Sequence, residues 1–142
     1  MNRTRAALLL TLAGLASAAA GRSATDAATA ARNNYLLRCM GCHAADGSGS
    51  PGKVPAVRDS LVPLVRTAAG RRFMVQVPGA ALSPLSDQEL AQVLSWMVRN
   101  LAREPAPPGF SDFSASEVAR YRGAPLVDVS VARARVLAGG AP

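Results

Sequence analysis

The stretch Cys39-Met40-Gly41-Cys42-His43 contains both cysteines and the single histidine of the 142-residue chain. This is the C-x-x-C-H spacing at which a c-type haem is attached. The spacing has a chemical reason. One turn of helix presents two thiols to the two vinyl groups of a haem, and the adjacent imidazole of His43 ligates the iron. Cys39 and Cys42 are therefore the expected covalent tethers and His43 the proximal iron ligand. The expected cofactor is one haem c.

Three other chemistries share parts of this pattern. A thioredoxin-like redox pair needs a βαβ context after a strand, which the flanking residues do not offer. A closed zinc site needs four ligands, and two Cys plus one His leave the shell incomplete. A disulfide across a two-residue gap closes almost no loop and stabilises little.

Upstream, Met1-Asn2-Arg3-Thr4-Arg5 precedes an apolar run from Ala6 to Leu15 and small residues from Ala16 to Gly21. These are the three regions of a secretory signal, and the run is short for a membrane span. Residues 1–22 are read as a signal peptide, with a retained membrane anchor as the alternative. The expected destination is the periplasm, with no membrane span after cleavage. Without Arg3 and Arg5 the chain keeps 14 Lys and Arg against 9 Asp and Glu, a balance of +5. Two ionised cofactor carboxylates would lower it to about +3. The basic residues are dispersed and lack interleaved aromatics, so no nucleic-acid partner is expected. Acidic docking surfaces on periplasmic redox proteins fit this charge better. Hydrophobic residues form 49% of the chain and aromatic residues only 4%, so a core of small apolar side chains has room for the bulk of a haem.

Helical signals dominate downstream. Ser86-Asp87-Gln88-Glu89 is a capping box, followed by Leu90, Val93, Leu94, Met97, Val98 and Leu101 at helical spacing. Glu104-Pro105-Ala106-Pro107-Pro108-Gly109 stiffens the chain beyond that helix. Ser114-Ala115-Ser116-Glu117 is a second capping box, opening a helix through about Arg122. A last short helix is predicted from Asp128 to about Leu137. This pair is too small for its own core and must pack on the rest of the chain or on a partner.

Around these motifs the chain resembles class I c-type cytochromes over roughly Ala31 to Leu101. Ala31 and Tyr35 precede Cys39 at four-residue steps, as in the family's Gly-x-x-x-aromatic-x-x-x-C-x-x-C-H helix, with Ala31 in place of Gly. Ala44-Ala45-Asp46-Gly47-Ser48-Gly49 is similar to the family's C-H-x-x-D-G-x-G loop. The resemblance implies that the carbonyl of Pro55 orients the proximal His43 through Nδ1. Trp96 stands at the aromatic position of the family's closing helix, and both Trp96 and Tyr35 are read as packing residues rather than electron relays. A weaker resemblance links Val77-Pro78-Gly79 and Leu85-Ser86-Asp87 to small proteobacterial cytochromes associated with methylamine utilisation, which implies acceptance of electrons from a periplasmic dehydrogenase.

The family's second axial ligand is a methionine before a proline, where this chain has Val77, and valine cannot bind iron. With one histidine, bis-His ligation within the chain is excluded. Met74, in what reads as a loop-like stretch, is the first candidate for distal ligand. Met97, Lys53 and an open position remain alternatives.

The expected fold is thus all-α and class I cytochrome c-like. It has three to five short helices around one haem in residues 26–103, and a Pro-rich linker with a short helical extension in residues 104–142. The expected function is one-electron transfer between redox proteins, not enzymatic turnover. The alternatives are a five-coordinate haem protein binding a small ligand and a haem subunit of a larger oxidoreductase. No distal His or acid-base pair is available for peroxide cleavage.

Overall fold

The computed structural model describes residues 25–142. The expected signal, residues 1–22, lies outside the described residues. Helix α1 (residues 25–38) runs almost directly into a single turn, α2 (Met40–His43), and the helical hydrogen bonding persists across the join, with Cys39 N–H donating to the Tyr35 carbonyl at 2.8 Å. Ala44 ends the run at φ 60° and ψ 168°, a conformation that suits glycine. It is pinned there by the Tyr35 hydroxyl, which donates to its carbonyl at 2.7 Å.

The following loop doubles back. Gly49 N–H bonds the His43 carbonyl, Ser50 and Val54 form an isolated bridge, and Arg58 pairs with Asp46 at 2.6 Å. Gly49 has φ +69°, and a Cβ there would strike the backbone carbonyls of Val54 and Pro55. Only glycine allows the two backbone segments to lie this close. The loop thereby delivers Pro55 to His43.

Four further helices build the central layer: α3 (Leu61–Val65), α4 (Ala68–Gln76), α5 (Pro78–Ala81) and α6 (Asp87–Asn100). Thr67 caps α4 by accepting from Gly70 N–H, and Gly70 lies so close to the Leu64 backbone that any β-carbon would collide with it. Val77, extended before Pro78, separates α4 from α5. The Ser86–Glu89 capping box of α6 is formed in both directions, and Leu90, Val93, Leu94, Met97 and Val98 of its apolar stripe are buried, with Leu101 partly so at its end.

Helices α7 (Ala115–Arg122) and α8 (Val129–Leu137) complete the chain. Helix α7 packs on α6 and α4, and α8 on α4 and α3. Their Val118, Ala132 and Val136, with Phe113 from the connecting segment, belong to the same buried cluster as Tyr35, Met74 and Met97. The fold is all-helical, with no strand among the described residues beyond the Ser50–Val54 bridge.

Three expectations are refined. Residues 26–103 contain six helical segments rather than three to five, because α2 and α5 are single turns that sequence periodicity does not register. The stretch around Met74, expected to be loop-like, is helix: Thr67 supplies its cap, and Gly70 is kept for close packing rather than for a break. The second capping box is only half formed. Ser114 accepts from Glu117 N–H, but the Glu117 carboxylate turns away to Arg71.

Candidate functional site

Between α2, the Pro55 loop, α4, α5 and α6 lies a mainly apolar cavity of about 370 Å³, within the usual size of a cofactor site. Cys39, Cys42 and His43 line it together with Pro55, Met74 and Met97. Every sequence-nominated site residue therefore borders one space. Val77 borders it too, at the place where the family resemblance would put a ligand.

The two thiols are unbridged; Cys39 is half-buried and Cys42 exposed. Burial, and then the neighbouring Cys42, pushes the Cys39 thiol above its ordinary range. It is accordingly a protonated thiol at neutral pH, unlike the low-pKa cysteine of a redox pair. Among the described residues no group of three His, Cys, Asp or Glu side chains gathers as a closed metal site would require.

Burial lowers the pKa of His43, while the nearby Pro55 carbonyl pulls in the opposite direction. The ring is thus held in its neutral, ligating form. The Pro55 carbonyl is near enough to exert that pull but does not complete a hydrogen bond of good geometry, and Nδ1 of His43 is buried without a partner among the described residues. An imidazole that binds a metal through Nε2 carries a proton on Nδ1 and needs an acceptor beside it. Pro55 stands where that acceptor is needed.

The charged side chains at the cavity are Arg38, Lys53 and Arg133, with no carboxylate among its lining residues. Among the described residues none of the three forms an ion pair, whereas Arg58, Arg71, Arg99, Arg103 and Arg122 are all paired with acids. An uncompensated cationic rim on an apolar cavity favours an occupant that is apolar in its body and anionic at its edge. A separate groove of about 320 Å³, bordered by Arg58, Asp59 and Arg103, has no thiol or imidazole and is crossed by the Arg103–Asp59 pair.

No family model, curated protein or solved structure matches the chain.

Sequence reasoning missed Val129 and Arg133, which reach the cavity from α8. They stand four residues apart and so share a helix face, a signal that was present in the sequence but had no known surface to face. Tyr35, by contrast, is a packing residue as expected: fully buried, hydrogen-bonded to Ala44 and tilted against Trp96.

Proposed function

We propose that this chain is an exported one-electron carrier with a class I cytochrome c-like fold, holding a single haem c. The observation that carries the reading is the meeting of Cys39, Cys42 and His43 at one apolar cavity that also exposes two thioethers and no carboxylate. The residues fit the group. Cys39 and Cys42 offer thiols for its covalent attachment, His43 offers a neutral imidazole, and Pro55 an acceptor for Nδ1. Arg133, Lys53 and Arg38 are available to its carboxylates.

Haem, when bound, supplies the reversible one-electron chemistry. The chain's own part is to hold that group in a dry cavity and to offer a distal ligand. Met74 remains the leading candidate: it is buried on α4 and borders the cavity. Thioether ligation favours a higher potential. Partners on this reading are periplasmic redox proteins with acidic docking faces, a dehydrogenase upstream and a cytochrome or oxidase downstream. No described helix is long and apolar enough to cross a membrane.

A second reading, an open iron position that binds a small ligand, draws support from Val77, which lines the cavity and cannot ligate. The deciding experiment expresses the chain in cells able to attach haem c, then denatures it in acid and organic solvent. Haem should stay with the polypeptide. Complete extraction of haem from the wild-type chain would sink the proposal.

A further inference from the structure

The segment between α5 and α6 forms part of the cavity wall through Ser83 and Leu85, continuing from Val77, Pro78, Gly79 and Ala80. Leu82 N–H and the Ser83 N–H and hydroxyl tie it back to the Pro78 and Ala80 carbonyls, and Leu85 is buried, but its own later carbonyls are left over. Pro84 has no N–H to donate, and Leu82 is 71% exposed. The carbonyls of Ala81, Ser83 and Leu85 accept no backbone hydrogen bond. All three are reached by one side chain from the C-terminal extension.

Arg122, the last residue of α7, donates to the Ala81 carbonyl from Nε and Nη2 at 3.3 Å, to Ser83 from Nη2 at 2.9 Å and to Leu85 from Nη1 at 2.9 Å. Its Nη1 also meets the Asp87 carboxylate at 2.7 Å. The guanidinium thus joins the C-terminus of α5 to the first residue of α6, with its side chain only 19% exposed. A planar, permanently charged fork can serve several acceptors from one rigid plane; an ammonium cannot reproduce that geometry.

Resting on the haem reading, we infer that Arg122 is a positioning residue that holds this wall closed and so limits access of small ligands to the haem iron. The C-terminal extension is then a working part of the site. Its removal from the wall strands three carbonyls at once, which favours local opening of the 82–86 segment.

The test uses full-length wild type, Arg122→Ala, Arg122→Lys and Asp87→Asn, with two measurements. The first is hydrogen exchange at the amides of Leu82 and Ser83, which bond the Pro78 and Ala80 carbonyls. The second is the rate of carbon monoxide binding to the reduced haem protein. Arg122→Ala and Arg122→Lys should each raise exchange and carbon monoxide binding by about tenfold or more, the scale of one lost charged hydrogen bond. Asp87→Asn keeps the three carbonyl bonds and an amide oxygen for Nη1, and should raise both by less than Arg122→Ala does; an equal rise would place the hold on Asp87 rather than on the carbonyls and overturn the inference. Should Arg122→Ala not accumulate, Arg122→Lys carries the test alone. Unchanged exchange in Arg122→Lys overturns the inference. Faster exchange with unchanged carbon monoxide binding also overturns it, by reducing Arg122 to a structural staple. A wild-type chain without haem overturns the haem reading and the gate with it, while the exchange measurement still reports on the staple separately.

Discussion

Tyr35 and Trp96 meet with ring centroids 5.4 Å apart and planes inclined by 41°, joining α1 to α6 beside the Cys39–His43 turn. This contact connects the helix that leads into Cys39 with the helix that carries Met97, so the cavity is bordered by two elements locked to each other. Tyr35→Phe keeps the ring contact but removes the bond to the Ala44 carbonyl. It should cost about 1 kcal/mol in denaturant unfolding.

Burial, followed by the charges of Cys39 and Asp46, pushes the Tyr35 phenol from 10 up to about 12. The native state therefore favours the neutral phenol. Its contribution is fully present below pH 10 and is lost as the pH rises from 10 towards about 12. Tyrosinate absorbance should show this late titration in wild type and lack it in Tyr35→Phe. A titration complete near pH 10 in the folded protein would contradict the burial argument.

Ligation predicts different results at two methionines that border the same cavity. If Met74 binds iron, Met74→Ala should abolish the weak red absorption band of sulfur ligation and lower the reduction potential. Met97→Ala should keep the band and lose about 2–5 kcal/mol of stability through a core void. Transfer of the effect to Met97→Ala would reassign the ligand.

Truncation after Glu104 removes Phe113, Val118, Ala132 and Val136 from the buried cluster. It also removes Glu117 and Phe113 from either side of Arg71, which bonds the carboxylate at 2.6 Å and lies 3.9 Å from the ring centre. The shortened chain should fail to unfold cooperatively and, on the haem proposal, should retain little haem. Cooperative thermal melting of that chain, with normal haem content, would mean residues 26–103 are self-sufficient after all.

Backbone geometry offers an independent check on the loop that follows His43. Ala44→Gly should stabilise the protein by about 1 kcal/mol, because glycine adopts φ 60° without steric cost. Gly49→Ala should destabilise by more than about 1 kcal/mol, since its Cβ meets the Val54 and Pro55 carbonyls. Thermal melts of the two variants should therefore move in opposite directions.

Local signals in the sequence were sufficient where one segment decides its own structure. The Ser86–Glu89 box, the α6 stripe and the bounds of α7 and α8 all follow from neighbouring residues. The attachment motif and Met74 were likewise visible, and they do border one cavity. What the sequence did not disclose depends on contacts between distant segments. Nothing near Arg122 announces that its acceptors are 35 to 41 positions earlier. At Met74 the local signal, Thr67 as a helix cap, was present but was not read, and the need for Gly70 at the approach of Leu64 shows only in the fold.

Because Ala132 and Val136 share a core with Tyr35, that core cannot be finished until the chain through Val136 has been synthesised. Long-range closure of this kind is slow compared with formation of a helical turn. Cys39 and Cys42 therefore pass through an interval in which the helix around them can form while the space beside them is still open to large reactants. The order of chain growth gives the two thiols a period of chemical access before Ala132 and Val136 pack into place.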